Sequence, residues 1–197
     1  MPADERNFFA ARAATWDERF PDDGPRYDRA VRELAPRFGG VAVDIGCGTG
    51  RALPYLRAAV GPNGCVVGID LTSRMLAEAA GRGRVLPPGG LLLADAARLP
   101  LATESCDALF AAGLLHHLAD PVGGLREFAR IARPHAALAL FHPIGRAALA
   151  ARHGSIPDPD DVRGATVLGR ACAATGWLLN SVEDGDDRYL ALAIRMN

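Results

Sequence analysis

The chain has 197 residues, with 22 basic and 23 acidic side chains and a formal net charge of −1. That length suits one domain with a single core, and the balanced charge argues against a platform for duplex nucleic acid, which takes a basic excess. Every basic side chain is Arg; without Lys, Schiff-base and pyridoxal-phosphate catalysis and a Walker phosphate loop are excluded.

Cys47, Cys65, Cys106 and Cys172 form no C-x-x-C pair and no metal-binding pattern, so reduced, buried thiols and no metal are expected. The polar N-terminus lacks the apolar core of a signal peptide, and no apolar run approaches the ~20 residues of a membrane helix. The expectation is a cytoplasmic protein, a monomer or weak dimer, with no membrane or nucleic-acid partner.

In chain order, residues 3–20 read as a first helix carrying Phe8, Phe9, Ala13, Trp16 and Phe20, broken by Asp22-Asp23-Gly24-Pro25. A second helix starts at Pro25 and carries Tyr27, Ala30, Val31 and Leu34 at helical spacing. Val41–Ile45 is a buried strand, 51–60 a helix with Pro54 in its first turn, and 65–69 the second strand. Thr72 is the expected N-cap of a helix to Gly81. Strands follow at 91–94 and 108–112. Asp120-Pro121 opens a helix striped by Val122, Leu125, Phe128, Ala129 and Ala132. A strand at 137–141, a helix from Val162 to Thr175 closed by Gly176, and strands 178–182 and 189–194 complete the chain, the last two an antiparallel hairpin.

Strands alternating with helices imply a doubly wound α/β fold, whose ligands bind beyond the carboxyl ends of the strands. Three acids fall at those ends. Asp44 stands just before Gly46-Cys47-Gly48-Thr49-Gly50, which leaves the first strand and opens a helix. The third glycine comes one residue early for a dinucleotide fingerprint, and Arg51 stands where that pattern wants glycine. A carboxylate at Asp44 suits an ammonium group better than a pyrophosphate. Asp70, 20 residues after Gly50, can accept both hydroxyls of a ribose. Asp95, followed by Ala96, can read the amino edge of adenine. Amine, ribose and adenine together describe S-adenosylmethionine.

On Val43–Gly50, Gly68-Ile69-Asp70, Ala94–Pro100, Leu114–Leu118 and Gly176-Trp177, the chain resembles the class I S-adenosylmethionine-dependent methyltransferases, of the small-molecule, UbiE/Coq-like type, from about residue 38 to 197. The resemblance implies a Rossmann-like seven-stranded sheet of order 3-2-1-4-5-7-6 with strand 7 antiparallel. It implies one methyltransferase domain over 1–197, with 1–36 a helical cap and 37–197 the core. Asp44, Gly46, Cys47, Gly48 and Gly50 would hold the methionine part, Asp70 the ribose, and Leu71 and Met75 the adenine face. Asp95 and Ala96 would take the adenine edge, with Ala112 and Tyr27 completing the cofactor site, Tyr27 near the carboxylate.

The substrate signals are mostly negative. After the fourth strand stands Ala111-Ala112-Gly113-Leu114, not the Asn- or Asp-Pro-Pro-aromatic motif that the resemblance associates with amide and base amino groups. Methyl transfer mainly needs alignment, and a base only where the nucleophile must lose a proton. Candidate bases are His116 and His117 after strand four and His142 after strand five; His135 and His153 are expected on the surface. Trp16 and Phe20, on one helix face, and Arg146 are expected on the substrate, as parts of a lid built from residues 3–36 and 142–161. The reading is a methyltransferase of a small-molecule acceptor, with an RNA or protein methyltransferase and a catalytically silent cofactor-binding module as open alternatives.

Overall fold

Four β-branched or small apolar residues and one aspartate make β1, Val41–Ile45, all but its first residue buried. It sits at the centre of the sheet, between β2 (Cys65–Asp70) and β4 (Cys106–Ala112), both parallel to it. Outward from β2 lies β3 (Gly89–Leu93); outward from β4 lie β5 (Ala132–His142), β7 (Tyr189–Arg195) and β6 (Trp177–Asp184). The order β3-β2-β1-β4-β5-β7-β6, with β7 antiparallel to both neighbours, is the one expected. A computed structural model describes residues 3–19, 21–85, 87–152 and 154–197, with side chains from Arg6 onward; Phe20 and His153 therefore lie outside the described residues.

Helices cover both faces of the sheet, as parallel strands demand. On one, Ala30, Val31 and Leu34 of α2 (Gly24–Leu34) and Leu53, Leu56 and Val60 of α3 (Leu53–Val60) pack with Ala42, Val66, Phe110 and Phe141. On the other, Leu125 and Phe128 of α5 (Pro121–Ile131) meet Leu168 and Cys172 of α7 (Ala165–Thr175) and Trp177, over Val43, Leu109 and Leu138. Burying each large apolar side chain of this kind contributes about 1.5–3 kcal/mol. The Trp177 indole N–H donates to the Leu125 carbonyl at 2.9 Å, so the largest core side chain hides no unpaired donor. Asp120 accepts from the Gly123 N–H, and Gly176 closes α7 in the left-handed region, both as the sequence implies.

Several expectations are corrected. The first helix, α1, is Ala3–Arg12; short 3-10 turns at Ala13–Thr15, Asp17–Arg19 and Pro21–Asp23 replace its second half. Tertiary contacts of Trp16 and Asp17 override the helical periodicity there. Thr72 caps α4 (Ser73–Gly81) by backbone position only, because its N–H and hydroxyl both turn to Asp70. Helix α7 starts at Ala165, after an Asp161–Arg163 turn in which Asp161 accepts from the Arg163 N–H. Strand β5 begins at Ala132 directly after α5. Pro134 cannot continue a helix, and His135 takes a positive φ, so the pairing skips from Cys106↔Ala132 to Ala108↔Ala137. A helix α6, Arg146–Arg152, stands in the segment after β5.

Candidate active site

The carboxyl ends of β1, β2, β4 and β5 and the loop after β3 open on one cavity of about 980 Å³. Its first lobe is built by the glycine loop. Gly46 and Cys47 both donate their N–H to the Ile69 carbonyl, at 2.8 and 2.9 Å, which folds the loop back against β2. That reversal requires positive φ at Gly46 (70°) and Gly48 (54°). A Cβ at Gly48 would meet no protein atom within 4 Å and would project into open space. Gly48 then donates to Asp70 Oδ2 and Thr72 to Asp70 Oδ1, both at 2.8 Å, so two backbone donors orient the Asp70 carboxylate. Burial pushes the Asp70 carboxyl up, and those hydrogen bonds hold it back.

Asp44 lies beneath this loop with 1% of its surface exposed. Its Oδ1 is buried and has no hydrogen-bond partner among the described residues. Burial first, and the Asp70 charge second, push its carboxyl up to about 8. A buried, unpartnered acceptor is costly unless a donor arrives, and a cationic donor meets it best. The cavity wall continues through Leu71, Met75, Ala96 and Ala112. Asp95 also lines it, half-buried, with Oδ1 accepting from the Ala97 N–H at 2.9 Å. The set of carboxylate acceptors and apolar walls therefore fits a ligand with an amine, a diol and a flat apolar ring. Gly50 is a correction. It lies outside the cavity lining, and a Cβ there would strike Leu53 and Ala79, so it serves turn and packing.

The second lobe carries imidazoles. A 3-10 turn, Leu115–His117, places His116 and His117 with ring centroids 4.1 Å apart; His142, the last residue of β5, is 6.3 Å from His116. His142 Nδ1 lies 2.8 Å from the Ile144 carbonyl and 3.2 Å from the Ile144 N–H. His116 Nδ1 is buried and has no hydrogen-bond partner among the described residues. Burial, then the neighbouring His117, drives His116 down to about 3, and burial also lowers His142. Both rings are neutral at pH 7.

The N-terminal segment roofs this lobe. The Phe9 ring stands edge-on to His117 at 5.3 Å and to Trp16 at 5.5 Å. Trp16 lines the cavity. Tyr27 does too, with its ring 5.0 Å from Phe141 and the Arg51 guanidinium 5.3 Å away. Arg146 also faces the cavity, but its charge is taken: Nε donates to Asp184 at 2.8 Å, and Asp161 lies 3.7 Å from Nη1. A free cation for substrate is not what Arg146 supplies.

Sequence reasoning missed Asp17 and Asp23. Asp17 accepts from the Thr49 hydroxyl at 2.6 Å, and Asp23 pairs with Arg51 at 3.4 Å. The one local signal was the break in helical periodicity around them; nothing local names partners about 30 residues away.

Residues 43–140 match a methyltransferase domain family. The chain is 36% identical over 107 residues to a malonyl-[acyl-carrier protein] O-methyltransferase of Marinomonas sp., covering 54% of this chain and 39% of that protein. It is 39% identical over 108 residues to a ubiquinone/menaquinone biosynthesis C-methyltransferase UbiE of Syntrophotalea carbinolica, covering 53% and 44%. The matches thus span less than half the length of these two relatives. A crystal structure of an S-adenosylmethionine-dependent methyltransferase from Aquifex aeolicus superposes with a TM-score of 0.72 at 26% identity, covering 86% of this chain and 89% of that one. Among the described residues, no helix is long and apolar enough to cross a membrane. The strand order, the acid at each of the first three strand ends and these likenesses agree: the chain belongs to the class I S-adenosylmethionine-dependent methyltransferases.

Proposed function

We propose that this chain methylates a hydroxyl of a small-molecule acceptor, using S-adenosylmethionine. The observation that carries the reading is the orphaned, fully buried Asp44 Oδ1 beneath the glycine loop, in the same cavity as three imidazoles. Asp44 would take the cofactor's ammonium, Asp70 its ribose hydroxyls, Leu71 and Met75 its base, Asp95 and Ala96 the base edge. Gly46, Cys47 and Gly48 allow close backbone approach, and Tyr27 and Ala112 complete the wall. Bound there, the cofactor supplies an electrophilic methyl on a sulfonium.

The chain's own part is to orient the acceptor, exclude water and remove one proton. In the tautomer whose Nδ1–H donates to the Ile144 carbonyl, His142 keeps its lone pair on Nε2. A neutral imidazole of this kind can take a hydroxyl proton as the new bond to oxygen forms, and such a base is worth typically 10²–10⁴-fold. His117 and His116 adjoin it as the alternative base and as its neutral neighbour. Phe9, Trp16 and Leu149 give apolar walls. Two carboxylates near this lobe are engaged, Asp161 with Arg163 and Arg146, and Asp184 with Arg146, while Asp158 also lines the cavity. The charge of those two is thus already met by guanidinium groups. The names of the relatives, an O-methyltransferase of a carrier-bound acid and a quinone methyltransferase, favour acceptors other than RNA.

The test has two arms. Calorimetry with S-adenosylhomocysteine reads the cofactor site. Release of that product from S-adenosylmethionine over a panel of phenols, enols, carboxylic acids and amines reads the acceptor. Binding with turnover confined to hydroxyl acceptors is expected; turnover only on amines, or only on RNA, would overturn the acceptor class. Binding without turnover on any acceptor would favour a silent module.

A further inference from the structure

Two carboxylates of the N-terminal segment grip the two residues that flank Gly50. Asp17 Oδ1 accepts from the Thr49 hydroxyl at 2.6 Å, and Thr49 is 1% exposed. Arg84, just beyond α4, closes the ring: Nη1 donates to the Thr49 carbonyl at 2.9 Å, and Nη2 meets Asp17 Oδ2 at 2.5 Å as a charge pair. Arg82 adds a donor to the Ala14 carbonyl at 3.3 Å and a charge 3.7 Å from Asp17. On the other side of Gly50, the Arg51 guanidinium pairs with Asp23, 6% exposed, which also pairs with Arg26 at 3.0 Å.

Burial opposes the Asp17 charge, but the hydrogen bonds from Arg84 and Thr49 and the two guanidinium charges outweigh it, holding the carboxyl below its ordinary range. Asp17 is thus ionised at neutral pH, and its partners are worth more than an exposed surface pair.

These contacts join the two lobes. Thr49 belongs to the loop that cradles the first lobe. Trp16 immediately precedes Asp17, and Phe9 packs between Trp16 and His117 in the second. The connection from glycine loop to roof therefore runs Thr49–Asp17–Trp16–Phe9–His117 without a gap. We infer that Asp17, supported by Arg84 and paralleled by Asp23, is a positioning residue that couples cofactor binding at the glycine loop to closure of the aromatic roof over the acceptor lobe. The inference rests on the cofactor site proposed above. It assigns order to the reaction: the cofactor settles the loop, the loop holds Asp17, and the roof then shapes the acceptor site. Linkage makes the effect reciprocal, so a closed roof tightens the cofactor.

The experiment uses S-adenosylhomocysteine as probe, with calorimetry for its affinity and hydrogen exchange over residues 6–19 for the roof. In the wild-type chain the probe should slow exchange of that segment about fivefold or more, the lower range of ordinary coupling. In Asp17→Ala and Arg84→Gln the probe should still bind, roughly 5–10-fold more weakly, while its effect on exchange disappears. The double variant should behave as either single one, because both break one ring. Asp17→Asn, which keeps an acceptor for Thr49 and loses the charge, should fall between. Undiminished probe-dependent protection in Asp17→Ala would overturn the inference, as would a wild-type roof indifferent to the probe. Should Asp17→Ala fail to fold, Arg84→Gln, whose side chain lies outside the cavity lining, decides by the same two outcomes. Failure of the probe to bind the wild-type chain is a distinct result, which removes the cofactor site and the coupling with it.

Discussion

Replacing Asp44 by Asn separates the stability of this fold from its ligand binding. The Asp44 carboxyl is raised from 3.8 to about 8 by burial and then by Asp70. Between those values the folded chain holds a proton that the unfolded chain has lost. Stability of the ligand-free protein therefore falls as pH rises through this window, by up to ~1.4 kcal/mol per pH unit, and levels off above about 8. His116 works in the opposite direction. Its folded value is lowered from 6.5 to about 3, so it adds stability as pH rises to 6.5 and nothing further beyond. His142 shifts the same way. The window that isolates Asp44 is therefore pH 6.5 to 8. Across it one group titrating near 8 costs about 1.5 kcal/mol. Urea denaturation of the ligand-free wild type should show that loss, and Asp44→Asn should be flat. Cofactor affinity should move oppositely: an ammonium requires the ionised carboxylate, whose fraction rises several-fold from pH 6.5 to 7.5. Wild-type affinity should rise accordingly, while Asp44→Asn binds weakly at both values. Equal pH slopes of stability in the two proteins would refute the reasoning, as would a wild-type affinity that falls over the window.

Asp70→Ala should weaken S-adenosylhomocysteine about 10–100-fold by calorimetry, since charge-assisted hydrogen bonds contribute ~1.5–3 kcal/mol each, and it also releases the Gly48 and Thr72 N–H groups that Asp70 now receives. Gly48→Ala places a methyl in the ligand space at a φ of 54°, so a stability loss of about 1–2 kcal/mol with a far larger loss of probe affinity is expected. His142→Ala should lower kcat about 10²–10⁴-fold on a hydroxyl acceptor with cofactor affinity little changed; unaltered turnover would leave alignment alone to carry the reaction. Far from the site, Arg188 is 2% exposed and pairs with Glu33 of α2 and Glu183 of β6. Arg188→Met should cost roughly 1–3 kcal/mol in denaturation and leave probe affinity unchanged.

The parts of this molecule that were readable in sequence are those whose cause is local. A buried β-rich run followed by Gly-x-Gly states strand, turn and helix within ten residues, and Asp44 and Asp70 are placed by the strands they end. Asp120-Pro121 and Gly176 mark helix ends by chemistry of their own. What could not be read depends on distant partners. Gly50 looks equivalent to Gly46 and Gly48 in sequence, but its missing Cβ makes room for Leu53 and Ala79 rather than for a ligand. The turns after Arg12 exist because Asp17 reaches Thr49 and Arg84, 32 and 67 positions on. Arg146 reads as a free cation until β6 brings Asp184 beside it. The family's strand order, too, came from resemblance: alternation alone implies a parallel sheet but not which strand lies in the middle.

The remaining polar imbalance of the fold lies in one place. Deep polar groups elsewhere are answered: Thr175 donates to the Ala171 carbonyl, Trp177 to Leu125, and Arg188 to two glutamates. Three buried side-chain atoms among the described residues have no hydrogen-bond partner: Asp17 Oδ2, which Arg84 meets as a charge pair, and Asp44 Oδ1 and His116 Nδ1, which line opposite lobes of the same cavity. Leaving such a group unpaired costs about 1–3 kcal/mol each, and more where a charge is involved. A ligand that supplies a donor to Asp44 recovers that cost as affinity. A ligand filling only the apolar walls of Leu71 and Met75 cannot. An adenosine lacking the amino-acid portion should therefore bind far more weakly than its ring contacts alone would suggest, and the missing affinity should be absent from Asp44→Asn, where the two ligands converge.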